Sequence, residues 1–263
     1  MRLEVFINKP EQDANDTPII FIHGACHSAW CWAEHFQNYF ADKKFESHAI
    51  SLSGHGNSYS CKNIKLKRIS DYVNDVRYIA SKFDKPPILI GHSMGGYIAQ
   101  KYAKDHKASA LVLMNSVAPI GFYKTLLKLA RRHPLKFLKS TLTFNISSYL
   151  TNPRIFRDLY FTKDTPKHIV NKYNHLLQDE SYMAFLDMLF TRVPKSSFED
   201  LPILVIGGEN DKITSQNDIK QTAKYLNAKD VKVFANMAHD MMLESEWQSV
   251  ADFIIAWLNG IKS

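Results

Sequence analysis

The chain has 263 residues, a formal charge of +7, and 45% hydrophobic and 22% charged residues, which is the composition of a globular protein long enough to bury a full core. No apolar run reaches the length of a membrane-spanning helix, and Met1-Arg2-Leu3-Glu4-Val5 lacks the apolar centre of a secretion signal, so a cytoplasmic location is expected. The three cysteines, Cys26, Cys31 and Cys61, are too few and too irregular for a zinc site or a disulfide framework and read as free thiols. The basic balance comes without a nucleic-acid-binding motif, so no nucleic-acid partner is expected.

Arg2–Asn8 reads as an edge strand and Pro18–Ile22 as a buried parallel strand. His23-Gly24-Ala25-Cys26-His27-Ser28-Ala29-Trp30 follows as a loop. A helix then runs to about Ala41 with Trp32, Phe36 and Phe40 on one face. Phe45–Leu52 is the next strand, closed by the turn Gly54-His55-Gly56-Asn57-Ser58. Ile69, Tyr72, Val73, Val76, Ile79 and Phe83 mark one face of an amphipathic helix, which Pro86 and Pro87 end.

Ile88-Leu89-Ile90 is a short buried strand that runs into Gly91-His92-Ser93-Met94-Gly95-Gly96, and a helix follows to about His106. G-x-S-x-G between strand and helix describes a nucleophile elbow, a strained turn that raises the serine hydroxyl above the strand end. The segment lacks the lysine of a phosphate-binding P-loop. Ala108–Met114 is another strand. Residues 119–198 show no clear strand and read as short helices rich in Phe, Tyr, Leu, Lys and Arg. Strand character returns at Pro202–Gly207 and Val231–Ala235, with helices over Ser215–Leu226 and Trp247–Leu258.

Alternating strands and helices imply an α/β fold, a mostly parallel sheet covered by helices on both faces. Residues 1–118 and 199–263 form its core, and 119–198 an inserted helical cap. Sites in such folds gather at the carboxyl ends of strands. Ser93, Asp211 and His239 each follow a predicted strand, in the order nucleophile, acid, base. A serine needs a base at neutral pH and the base an orienting carboxylate. Glu209 and Asp240 are neighbouring carboxylates; Glu209 comes earlier in its turn, and Asp240 adjoins His239 too closely to reach its Nδ1. Backbone N–H groups of Ala25 and Met94 are the expected oxyanion donors. His23, His55 and His92 read as structural. Gly24, Cys26, His27, Trp30 and Met237 are the candidate substrate contacts.

Together, His23-Gly24, Gly54-His55-Gly56-x-Ser58, Gly91-His92-Ser93-Met94-Gly95-Gly96, Gly208-Glu209-x-Asp211 and Ala238-His239 resemble the α/β-hydrolase superfamily over nearly the whole chain. The resemblance implies a serine hydrolase with no cofactor and no metal, with Ser93 the nucleophile, His239 the base and Asp211 the acid. The loop from His23 to Trp32 is similar to the plant methylesterase and hydroxynitrile lyase group. Asp240 stands where those lyases carry lysine, which argues against cyanohydrin cleavage.

The cap should set specificity. Its aromatics, among them Phe122, Phe137, Tyr149, Phe156, Tyr160 and Phe185, offer an apolar lining or pack its helices together. Lys124, Lys128, Arg131, Arg132, Lys136 and Lys139, with apolar residues between them, resemble one basic amphipathic helix. Weak contact with an anionic lipid or an acyl carrier is the partner expected from it. The function expected is hydrolysis of a small or medium-chain ester, thioester or lysophospholipid. A slow-turnover ligand receptor or a carbon–carbon bond hydrolase remain as alternatives on the same residues.

Overall fold

The computed structural model describes residues 2–11, 14–60, 63–121, 123–195, 198 and 200–261, leaving aside the side chains of Lys124 and Thr125. Cys61, read as a free thiol, and Phe122, read as cap lining, lie outside the described residues.

Among the described residues, seven strands form one sheet: β1 Val5–Asn8, β2 Ile19–Ile22, β3 Ser47–Ile50, β4 Ile88–His92, β5 Ala110–Met114, β6 Ile203–Gly208 and β7 Asp230–Phe234, in the order β1-β3-β2-β4-β5-β6-β7. Only β1 runs antiparallel, against β3. β2, β3, β4 and β5 are buried at every position; β2, β4 and β5 are near-continuous apolar runs, as strands covered on both faces tend to be, whereas β3 buries Ser47 and His48 as well. β1 and β7 lie at the edges and stay partly exposed.

Registered neighbours in a parallel sheet share a face, and Ile22, Gly91, Leu113 and Val205 form one such row. Gly91 faces the helix α4 (Met94–Asp105), and Gly207, two residues beyond Val205, faces Ile219 of α11 (Gln216–Leu226). So α4 and α11 cover one face, joined by α3 (Ile69–Ala80), which packs on α4. Phe21 points the other way. Its ring stacks on Trp32 at 4.7 Å and meets Phe36 and Phe40 edge-on. That face carries α1 (Trp30–Ala33), α2 (Phe36–Asp42) and α12 (Trp247–Gly260), which packs on α2.

One helix was expected from Trp30 to Ala41; the structure has two. His35 leaves helical geometry (φ −138°) and lays its ring flat on Trp247, centroids 4.8 Å apart.

Among the described residues, six helices come between β5 and β6: α5 Tyr123–Arg132, α6 Pro134–Leu142, α7 Ser147–Leu150, α8 Pro153–Tyr160, α9 Lys167–Leu176 and α10 Tyr182–Phe190. They form the inserted helical segment. The basic stretch is two helices here, not one. Pro134 has no N–H to give to the preceding turn and instead opens α6 at its first position. Among the described residues, no helix is long and apolar enough to cross a membrane.

Candidate active site

Ser93 sits between β4 and α4 with φ 51° and ψ −116°, a conformation that costs a non-glycine residue energy. The turn holds it by main-chain bonds. Ser93 N–H donates to Met114 O at 3.0 Å, and Ser93 O accepts from Gly96 and Val117. The glycines are steric requirements: a Cβ on Gly91 would stand 2.5 Å from Gly95 O, and one on Gly95 would collide with Ile22 O.

Asp211 and His239 come from the loops after β6 and β7. His239 Nδ1 lies 2.7 Å from Asp211 Oδ2, both side chains buried. Asp211 Oδ1 accepts from Ile213 N–H at 2.7 Å and Thr214 N–H at 3.0 Å, which fixes the carboxylate plane. The main chain of His239 is tied towards the serine turn, since its carbonyl accepts from His92 Nε2 at 3.0 Å and Asn115 Nδ2 at 2.8 Å. A Cβ on Gly24 would stand 3.1 Å from Ser93 Cβ, so the loop after β2 closes over the serine. Ser93 Oγ and His239 make no hydrogen bond to each other in this structure; such contacts often tighten only with substrate in place.

Two histidines, His23 and His27, hold the loop after β2. His23 Nδ1 donates to Gly24 O at 2.8 Å and its Nε2 accepts from Leu52 N–H at 3.0 Å, which defines a neutral ring. Burial, then the nearby His55, keeps His23 well below the usual histidine value. His92 is likewise pushed well down by burial and by His239. His27 differs. Its Nδ1 faces Ala25 O at 2.9 Å and its Nε2 faces Asp240 Oδ2 at 3.0 Å. Both partners accept, so the ring is satisfied when it carries both protons. Burial opposes that charge, but Asp240 outweighs it and raises His27 above its ordinary value.

The inserted segment reaches into this loop through Gln178 and Glu180, which the sequence did not single out. Cys26, at φ 66°, donates its N–H to Glu180 Oε2 at 3.1 Å, and its carbonyl accepts from Gln178 N–H at 2.8 Å. The buried Glu180 also accepts from His55 Nε2 at 3.1 Å, Tyr72 Oη at 3.0 Å and Ser181 N–H at 2.6 Å. Burial would raise its pKa, but His55 and these bonds lower it. Asn115 is a second unforeseen residue. Its Oδ1 accepts from Gly208 N–H at 3.0 Å while its Nδ2 holds Ala238 O and His239 O, so one side chain joins the ends of β5 and β6 to the histidine loop.

Of the candidate substrate contacts, Cys26, His27 and Met237 are buried. Trp30 is half-buried, stacked between His27 at 5.4 Å and Tyr173 at 5.6 Å. Tyr160 of α8 lies edge-on to His239 at 5.4 Å. Ala25 and Met94 make no hydrogen bond through their N–H groups to other described residues. A cavity of about 320 Å³ opens beside the Asp211 loop, walled by Val117, Pro119, Ile120, Ile213 and Tyr225. No cluster of three or more His, Cys, Asp or Glu fit to hold a metal occurs among the described residues.

The model of the alpha/beta hydrolase family matches residues 19–253, and the chain belongs to that family. A protein named as an esterase or lipase in Mycoplasma pneumoniae is 27% identical over 89% of this chain and 86% of its own. The pFDCC methylesterase MES16 of Arabidopsis thaliana is 37% identical over a shorter match, 29% of each chain. A carboxyl esterase from Bacillus coagulans shares the fold, with a TM-score of 0.74 at 19% identity over 98% of this chain and 94% of that one.

Proposed function

We propose that this α/β-hydrolase family member cleaves carboxylic esters of small or medium acyl chain through an acyl-enzyme on Ser93. The observation that carries the reading is the buried 2.7 Å contact between His239 and Asp211, whose histidine main chain is bonded to His92, next in sequence to a serine held in a strained turn. In the proposed cycle Ser93 Oγ attacks the ester carbonyl and its proton passes to His239 Nε2. Asp211 keeps the ring oriented and stabilises the imidazolium. The tetrahedral oxyanion takes hydrogen bonds from Ala25 and Met94 N–H, which have no other described partner. Collapse breaks the ester C–O bond, and His239 returns the proton to the leaving alcohol. Water, deprotonated by His239, then releases the acid. The apolar cavity beside the Asp211 loop has room for a medium acyl chain, and the names of the relatives support ester substrates.

The test is hydrolysis of a p-nitrophenyl ester series from acetyl to dodecanoyl by the wild type and Ser93→Ala. Steady turnover by the wild type, with a loss on the order of 10⁴-fold or more in the variant, is expected. A single burst that stalls would point to a ligand receptor. Inertness towards every chain length would overturn the ester reading and bring carbon–carbon substrates forward.

A further inference from the structure

The positive charge of the chain is concentrated in one place. Residues 106–157 contain nine Lys or Arg and no Asp or Glu, against a net charge of +7 for the whole chain. Within that stretch α6 turns its apolar side outward. Leu135, Leu138 and Leu142 recur at the spacing of one helical stripe and are 83%, 55% and 70% exposed. The inward residues of the same helix are Phe137, whose ring meets Tyr149 edge-on at 5.7 Å, and the buried Ser140. Leu127 of α5 and Phe144 just past α6 are also more than half exposed. Lys136 and Lys139 are exposed beside the stripe, as is Arg131 in the preceding helix.

A surface helix of a globular protein ordinarily hides its leucines. Exposed leucines set among cations, with no anion nearby in the chain, are instead the pattern of a helix that lies in a membrane interface. We propose that α6 and its exposed neighbours dock the protein on an anionic lipid surface. Leu135, Leu138 and Leu142 enter the boundary between head groups and acyl chains, and Arg131, Lys136 and Lys139 meet the phosphates. Two other cations of the stretch pair with carboxylates, Lys128 with Asp218 at 2.9 Å and Arg132 with Asp158 at 2.5 Å, whereas Lys136 donates only to the neutral Asn152 Oδ1 at 3.0 Å and keeps its charge uncompensated by that bond. A bilayer suits these side chains better than an acidic protein does. They protrude from a convex helix rather than line a groove, and a fluid interface can close around them. The proposal does not depend on Ser93 chemistry, because binding is measured without turnover.

The test is flotation of the full chain with vesicles of phosphatidylcholine alone and of phosphatidylcholine mixed with phosphatidylglycerol. Binding to the anionic vesicles is expected, weakening with salt and about tenfold or more weaker on neutral ones. Leu135→Ser with Leu142→Ser should bind at least about tenfold more weakly, since burying these side chains supplies part of the affinity. Both sites are exposed, and unchanged circular dichroism would show that the fold survives. Arg131→Glu with Lys139→Glu should weaken binding to anionic vesicles while leaving the weak binding to neutral ones unchanged. Failure of the wild type to float with anionic vesicles overturns the proposal. So does a leucine variant that floats like the wild type, or capture by an acidic acyl carrier protein with no vesicle binding.

Discussion

The peptide between Ala25 and Cys26 is held at both ends. His27 Nδ1 donates to its carbonyl and Glu180 accepts from its N–H, while Gln178 fixes the next carbonyl. This leaves Ala25 N–H, one proposed oxyanion donor, in a loop with little freedom to turn. Glu180 acts on it as a positioning residue, through main chain. In Glu180→Gln one acceptor oxygen must replace two that serve four donors, so a buried donor would face an amide NH₂. Urea unfolding should show a loss of about 2–4 kcal/mol. Ester kinetics should show kcat falling more than KM changes, which a purely structural role would not produce. The two buried charges also differ in pH dependence. His27 is raised on folding, so its stabilising contribution is complete below its unfolded value of about 6.5 and is lost as pH rises through its folded value. Glu180 is lowered, so its contribution is complete above about 4.3 and is lost as pH falls through its folded value. The stability gap between wild type and His27→Gln should therefore shrink on the alkaline side. A gap that stays constant from pH 6 to 9 would mean that His27 is not the cation its partners imply. The placement of Ser93, Asp211 and His239 after strand ends was legible because each follows an apolar run that announces a strand. Glu180 and Asn115 were not. Glu180 meets Cys26 across 154 residues, and Asn115 meets His239 across 124, separations that no local pattern encodes.

At the scale of elements, the loop that carries Asp211 leads directly into a capped helix. Ser215 Oγ accepts from Asp218 N–H at 3.3 Å, and Asp218 Oδ2 accepts from Ser215 N–H at 2.9 Å, so two otherwise unpaired donors of α11 are satisfied reciprocally. Ser215→Ala should cost about 1 kcal/mol in urea unfolding. Activity should change little, because Ile213 and Thr214, not Ser215, hold the Asp211 carboxylate. A large loss of kcat would mean that the cap of α11 also sets the acid. Strands and the helices on the sheet were read from the sequence to within a few residues, because apolar runs and one-sided stripes follow directly from burial. The inserted segment was read as several short helices, but its basic stretch as one helix where the structure has two. Pro134 gave the signal for the break between α5 and α6, whereas the run of cations on both sides of it suggested continuity. The break after α1 had no such signal, since His35 is drawn out of the helix by a ring contact with Trp247 more than two hundred residues away.

On the scale of the whole molecule, burial divides the chain unevenly. The central strands β2, β4 and β5 are covered on both faces, and the residues around Ser93 rest on them. The inserted segment is graded. Its later part carries Phe156, Tyr160 and Glu180, which are buried against the histidine loops and the loop after β2. Its earlier part, α5 and α6, is mostly exposed and has few buried side chains, Leu129 and Ser140 among them. Local opening free energy follows the number of buried contacts that opening must break. Native-state hydrogen exchange should therefore place the amides of β4 and β5 near the global unfolding limit. Those of α8 and of residues 178–181 should come next, and those of α5 and α6 should exchange fastest of the three groups. Such an order would leave the loop after β2 clamped while the leucine-bearing helix moves, so that the proposed surface docking and the proposed ester chemistry could proceed on one chain without disturbing each other. If α6 instead exchanged as slowly as β4, its leucines would have to be covered in solution, and a second copy of the chain would be the first occupant to test by sedimentation.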